Sequence, residues 1–315
     1  MYEAHFGFRH APFGLTPDTR FYFAEGSHQE ALNTLLVALR SGEGFLKVTG
    51  EIGLGKTLLC RQLLNALGPG FVTAYVPNPA VTPRALFQTV ADELGCEGGG
   101  HRPDELLKAI NHQLLENARK GLHTVLVVDE AQALTDHTLE AIRLLTNLET
   151  ETYKLLQVVL FGQPELDERL ALPALRQLRQ RITFTYRLRP LSREQLNAYV
   201  RHRLEIAGTQ DPALFGEDAL RVLYRASRGI PRLANILCHK ALMAAFGPGH
   251  ARVDRNDALA AVSDTDSTDL PLGSKLLLFT QENLGLVCLA LVLSLGLAYV
   301  LSAGFTMWLV PGIAP

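Results

Sequence analysis

Cysteine is scarce in this sequence, and the little there is carries no pattern. Cys60, Cys96, Cys238 and Cys288 stand far apart with no C-x-x-C pair, which excludes both a disulfide framework and a cysteine zinc site. Reduced thiols in a cytosolic body are the expectation. An excess of one charge sign is missing as well: 30 Lys and Arg face 32 Asp and Glu, for a formal net charge of −2. Proteins that grip nucleic acid more often carry a strongly basic domain, so DNA is disfavoured as a partner. The opening stretch "MYEAHFGFRHAPFGLTPDTRFYF" has no basic head leading into an apolar run and is no signal peptide. Internal repeats and low-complexity segments are absent too. What is there is an ordinary globular composition, 47% hydrophobic and 20% charged over 315 residues, enough for a large core and about two domains.

Short β-type runs alternate with amphipathic stretches through the first part of the chain. After a helical pattern from Gln29 to Arg40 come "FLKVTG" (45–50), "FVTAYVPN" (71–78), "HTVLVVDE" (123–130), "LQVVLFGQ" (156–163) and "ITFTYRL" (182–188). Between them lie "KTLLCRQLLNAL", "PRALFQTVADEL", "DELLKAINHQLLENARK" and "DHTLEAIRLLTNLE", with apolar residues three and four apart. This alternation predicts a parallel sheet covered on both faces, with the wholly apolar "VLVV" as a central strand. Residues 1–189 are therefore expected to form a sheet-bearing core domain. Beyond Arg189-Pro190 the strands stop, and 190–262 reads as a smaller helical domain. A polar linker is expected at 263–282, which opens "SDTDSTDLPLGS".

"GEIGLGKT", Gly50 to Thr57, fits G-x-x-x-x-G-K-[ST] in full, with a β run leading in and a helix leading out. Backbone N–H groups of Gly50, Glu51, Ile52, Gly53, Leu54 and Gly55 would curl round a phosphate at the helix N-terminus, with Leu58 in the first turn. Lys56 would reach the β- and γ-phosphates, and the Thr57 hydroxyl would complete a Mg²⁺ site. Asp129, at the tip of "VLVVDE", is the second metal-holding group, and Glu130 beside it would polarise the attacking water. ATP and Mg²⁺ are thus the expected cofactors. Between Thr57 and Asp129 there is room for one further strand and at least two helices. That spacing fits the P-loop branch with a separate catalytic glutamate and disfavours simple nucleoside kinases.

Other candidates are less specific. Gln163 ends its run where it would touch the γ-phosphate or the water, if that strand lies between the other two; a polar cap in a "GQP" turn is the plainer reading. Arg232 follows a Pro at the helix start in "GIPRLANIL" and would report which nucleotide is bound, a solvated helix arginine being the alternative. "LRQLRQRITF" supplies Arg176, Arg179 and Arg181. One of these, offered to a neighbour's γ-phosphate, would stabilise transition-state charge and make activity depend on assembly. Arg179 and Arg181 are favoured, without preference between them. Asn78 is a further candidate, to hydrogen-bond Glu130 and hold it inactive.

With these residues in place, the chain resembles the AAA+ ATPases of the ExeA/GspA type, and among them the branch associated with the mannose-sensitive haemagglutinin (MSHA) pilus. The carrying stretches include "MYEAHFGFRHAPFGLTPD", "GEGFLKVTGEIGLGKT", "VLVVDEAQAL", "IRLLTNLET", "LFGQPELD", "LRQRITFTYRLRPL" and "GIPRLANIL" within 1–262. The resemblance implies an α/β fold with a P-loop AAA+ core, a five-stranded parallel sheet and a small α-helical lid. It further implies Mg-ATP hydrolysis and function as a homo-oligomer, a ring being one arrangement. By motif match, Lys56 and Thr57 fall at Walker A, Asp129 and Glu130 at Walker B, Gln163 at sensor 1 and Arg232 at sensor 2. The implied task is assembly or function of a type II secretion or type IV, MSHA-like pilus machine, with inner-membrane proteins such as a GspB-like partner. Secretion members continue past a membrane span into a periplasmic peptidoglycan-binding domain. The present sequence departs from them there, and direct cell-wall binding is not expected.

One long apolar run remains. Asn283 to Pro315 contains no charged residue, and Leu284–Phe305 alone would span about 30 Å of hydrocarbon as a helix. A C-terminal transmembrane helix at 283–310 is expected, since the run lacks the polar face of an interfacial helix. Lys275 precedes it and no Lys or Arg follows, which favours a single-pass inner-membrane protein with its ATPase domain in the cytoplasm. A second reading is a nucleotide-switched DNA-binding regulator, like the AAA+ proteins of transposition systems. It rests on Arg187, Arg189, Arg193, Arg201 and Arg203, and the near-neutral charge and the apolar run oppose it.

Overall fold

The five apolar runs form five strands: β1 Phe45–Thr49, β2 Phe71–Val76, β3 His123–Val128, β4 Gln157–Gly162 and β5 Phe184–Arg187. They make one parallel sheet in the order β2-β3-β4-β1-β5. In this computed structural model the described residues are 2–77, 82–96, 102–148, 154–209, 211 and 213–265. Within them the helices are α1 Glu3–Phe6, α2 Gly26–Arg40, α3 Lys56–Ala66, α4 Pro83–Glu93, α5 Pro103–Arg119 and α6 Asp136–Leu145, followed by α7 Glu165–Leu170 and α8 Arg176–Arg181. After β5 come α9 Arg193–Ala207, α10 Glu217–Ser227, α11 Pro231–Phe246 and α12 Arg255–Ser263.

Alternate residues of each central strand enter opposite cores, as the two-residue strand period requires. Leu46, Val48, Val125, Val127, Val159 and Phe161 pack with residues of α2 and α3 on one face. Phe45, Leu126, Val128, Val158 and Leu160 pack with α4, α5 and α6 on the other. β3 and β4 are buried from Thr124 and Gln157 onward, so burial on both faces accounts for their unbroken apolar sequence. β5 lies at the sheet edge and is largely exposed. Gln157 interrupts the apolar pattern because its amide closes the turn before β1, donating to the carbonyls of Leu39 and Glu43 at 2.9 and 2.8 Å.

The strands end where the turn into α9 begins. Ser192 caps that helix, accepting from the N–H of Gln195, whose side chain in turn accepts from the N–H of Ser192. Helices α9 to α12 bury a third cluster that also holds Tyr2, Phe6, Phe8 and Phe13. The aromatic opening segment, grouped on sequence with the sheet-bearing residues 1–189, thus contributes its rings to the helical bundle. The reason is local: the sheet faces are already filled by α2 to α6, whereas α9 and α11 offer Tyr199 to Phe23, the Ala207 carbonyl to Arg9 and His239 to Tyr2. Among the described residues no helix is long and apolar enough to cross a membrane. The expected span at 283–310, the linker beyond Thr265 and Asn78 all lie outside the described residues.

Candidate active site

The loop from Gly50 to Gly55 leaves the tip of β1 and turns directly into α3, so its form is set by both. Gly53 and Gly55 have φ of 83° and 85°, a region closed to most side chains. Their faces are also crowded. A Cβ on Gly53 would sit 3.0 Å from Arg232 Cβ, and one on Gly55 3.3 Å from His28 Nε2. Lys56 is buried, and its ammonium donates to the carbonyls of Gly50 at 2.7 Å and Glu51 at 3.0 Å. Burial lowers its pKa, while the carboxylates of Glu130 and Asp129 oppose that shift.

Neighbouring strand tips supply the carboxylates. Asp129 follows β3 and is 2% exposed; its N–H donates to the Val76 carbonyl at 3.0 Å. Burial raises its pKa, and a hydrogen bond from the Thr57 side chain opposes the rise. Thr57 and Asp129 therefore meet, a hydroxyl and a buried carboxylate side by side. Such hard oxygen donors fit Mg²⁺, which retains several waters and takes few protein ligands. Glu130 adopts φ of 51°, in the left-handed region. Its Oε2 accepts from Gln132 Nε2 at 2.6 Å and from Gln163 Nε2 at 3.3 Å. Because β4 lies between β3 and β1, Gln163 stands between Glu130 and the loop, as its sequence position required for contact with a phosphate.

Arg232 approaches from the opposite side. It lies in the first turn of α11, and its N–H donates to the Gly53 carbonyl at 3.2 Å. The turn before it is tight: Gly229 has φ of 75°, and its carbonyl accepts from the N–H of Leu191 at 2.9 Å. A cavity of about 190 Å³ unites Ile52, Gly53, Gly55, Lys56, Thr57 and Leu58 with Glu130, Gln163 and Arg232. Its further wall is Gly14 to Asp18, Tyr199, Arg203, Pro231 and Asn235. Leu54 is buried beneath the loop, and Asp129 adjoins Thr57 from below.

The arginines of α8 are not part of this cavity. Arg181 is half-buried and donates to Thr146 Oγ1 at 3.1 Å. Arg179 is exposed and has no side-chain partner among the described residues. The two candidates that sequence left equal are thus distinguished by their engagement. Sequence reading also passed over three contributors and offered a fourth, Arg203, to DNA instead. His28 donates from α2 to the Leu54 carbonyl at 2.5 Å, Gln132 donates to Glu130, Arg169 holds the Gln132 carbonyl, and Arg203 lines the far wall. Gln132 had a visible signal, its place two residues after Glu130. His28 had none, since "SHQEALNTLLVALR" reads simply as an amphipathic helix.

Comparison with known proteins bears on the fold that carries this site. Residues 39–170 match the family described as AAA domain. The chain is 45% identical over 263 residues to general secretion pathway protein A of Aeromonas hydrophila, covering 83% of this chain and 48% of that protein. It thus spans about half the length of that curated relative. The ORC1 protein of Aeropyrum pernix, solved in complex with DNA, superposes with a TM-score of 0.58 at 20% identity, over 82% of this chain and 69% of that one. The RuvB Holliday junction branch migration motor of Thermotoga maritima gives 0.52 at 16% identity, over 82% and 75%. At such identities the two structures share the fold.

Proposed function

We propose that this chain, an AAA ATPase of the ExeA/GspA type, couples Mg-ATP hydrolysis to the assembly or function of a type II secretion or MSHA-like type IV pilus machine. The observation that supports the hydrolytic reading is the single cavity that Lys56, Thr57, Glu130, Gln163 and Arg232 share, with Asp129 against Thr57. Triphosphate entering it offers Lys56 a stronger acceptor than the two loop carbonyls it now holds. Thr57 and Asp129 would hold Mg²⁺, which when bound screens the charge of the β- and γ-phosphates. Glu130 and Gln163 line the same cavity, Glu130 to accept the proton of an attacking water and Gln163 to orient it. Arg232 brings positive charge from α11 onto the same phosphates, so closure of α11 on the loop and hydrolysis are linked.

The finer reading is an oligomer at the bacterial inner membrane, single-pass through 283–310, with the ATPase domain cytoplasmic. It is supported by the absence of charge from Asn283 to Pro315 and by likeness to a secretion-pathway protein. Arg179, exposed on α8, is the residue offered to a neighbouring subunit. The DNA-binding alternative is weakened by the arginines it needs. Arg189 pairs with Glu30 at 2.9 Å, Arg187 stands 4.0 Å from Glu51, and Arg203 is buried.

The test is a membrane pull-down of Glu130→Gln held with Mg-ATP, with an ATPase assay of the wild type at rising protein concentration. Recovery of inner-membrane pilus or secretion proteins, with specific activity that rises on concentration, is expected. Recovery of DNA-associated proteins without envelope components would overturn the assembly role. A specific activity independent of concentration would overturn the oligomer.

A further inference from the structure

Two residues past Glu130, one side chain touches both groups assigned to the water. The Gln132 amide nitrogen donates to Glu130 Oε2 at 2.6 Å, and its amide oxygen accepts from the backbone N–H of Gln163 at 3.0 Å. An amide can make this bridge because it offers a donor at one end and an acceptor at the other. The bond to an ionised carboxylate is charge-assisted and belongs to the stronger class of hydrogen bonds.

Gln132 is itself held from behind. Arg169 Nη1 donates to the Gln132 carbonyl at 2.9 Å and also to that of Leu134, while Nη2 meets Asp136. Arg169 stands on α7, which follows Gln163 within two residues, so one short helix holds both the turn after Asp129 and the tip of β4. The left-handed backbone at Glu130 costs a non-glycine residue about 1 kcal/mol and persists only where its surroundings enforce it. Here the enforcing contacts are these, and they leave the Glu130 side chain on the cavity wall beside Thr57 and Gln163. Gln132 does not line that cavity itself.

We infer that Gln132 is a positioning residue for hydrolysis: its amide ties the Glu130 carboxylate to the tip of β4 and so aims it at the water site. This rests on Glu130 being the water-polarising group and goes further by naming what aims it. Because Gln132 does not itself line the nucleotide cavity and acts through Glu130, its loss acts on turnover and leaves binding alone.

The experiment uses the full chain, with steady-state ATP hydrolysis, binding of a fluorescent ATP analogue and thermal melting measured on each variant. Gln132→Ala lowers kcat about 10- to 100-fold, with KM and analogue affinity within about twofold of wild type. Gln132→Glu keeps the shape and the acceptor for the Gln163 N–H but sets a second carboxylate against Glu130. Its kcat falls at least as far, with its melting temperature close to wild type, which covers the case of an unstable alanine variant. An unchanged kcat, equal losses in kcat and affinity, or faster turnover on losing the amide would each overturn the inference. Glu130→Gln separates the two layers of the argument. If it still hydrolyses ATP, the assignment of Glu130 fails and takes the bridge with it. If it is inactive while both Gln132 variants turn over normally, the bridge alone fails.

Discussion

The two walls of the nucleotide cavity are built in different ways. One wall is backbone: the Gly50–Gly55 loop and the tips of β3 and β4, held by a parallel ladder whose central strands are buried on both faces. The other is α9, α11 and residues Gly14 to Asp18, which reach the first wall through scattered single bonds. Arg232 N–H meets Gly53, and Arg61 of α3, the helix that leaves the loop, meets the Pro17 carbonyl at 2.8 Å. A ladder places groups to within the tolerance that bond-making requires, whereas isolated contacts let a wall close and open. Chemistry should therefore be concentrated on the first wall, and control of its timing on the second.

That division is broken most directly by comparing one cation from each side. Lys56→Ala lowers kcat/KM for ATP about 10³-fold and weakens nucleotide binding, since it removes the charge next to the phosphates. Arg232→Ala lowers kcat about tenfold to a hundredfold and changes nucleotide affinity only a few-fold. Equal losses of affinity in the two variants would show that both walls bind alike and would remove the distinction.

A second comparison concerns the joint between the walls. Gly229→Ala places a Cβ where φ is 75° and only 2.1 Å from the Leu191 carbonyl oxygen. A loss of about 3 kcal/mol is expected, seen as a melting point lower by roughly 6–12 °C. Gly68→Ala is the matched control, with φ of 72° but open space around the Cβ, and should lose only about 1 kcal/mol. Similar losses would mean that strain alone, and not the contact with Leu191, fixes Gly229.

Legibility followed the same line. The backbone wall was readable because each of its demands falls on a local pattern: glycines at fixed offsets, a lysine and a threonine after them, carboxylates after four apolar residues. The strand order could not be read from periodicity, and only that order puts Gln163 between Asp129 and the loop. Arg203 was read toward DNA and His28 escaped because their partners are distant: Pro12 is 191 positions from Arg203, and Leu54 is 26 from His28. Sequence could not separate Arg179 from Arg181 either, since the difference lies in the contact of Arg181 with Thr146.

Arg203 sharpens the comparison from the stability side. It is buried, donates to the Pro12 carbonyl at 2.6 Å and the Tyr199 hydroxyl at 2.8 Å, and stands over the rings of Phe13, Phe21 and Tyr199. These bonds fasten the opening segment to α9, so the second wall depends on them more than on any ladder. Arg203→Ala should cost about 2 kcal/mol through lost hydrogen bonds and packing. Melting with and without ATP checks it: the loss should grow when nucleotide is bound, because a loosened wall holds ATP less tightly, and a loss unchanged by ATP would separate Arg203 from the cavity.

The smallest effect expected is a pH dependence at His28, where a side chain of α2 supports the loop. His28 is buried against Leu54 and Gly55, and burial lowers its pKa below the usual histidine value, the bond to the Leu54 carbonyl partly opposing. The unfolded chain, with an ordinary histidine, binds the proton more readily than the folded one. Stability owed to a neutral His28 is therefore present above the unfolded pKa of about 6.5 and is lost as pH falls toward the lowered folded value. His28→Gln keeps an N–H for Leu54 but cannot titrate. Between pH 7.5 and 5.5 the wild type should lose a few degrees more of melting temperature than the variant. Parallel melting curves would place the acid sensitivity elsewhere, and would leave the loop supported by shape and a neutral hydrogen bond alone.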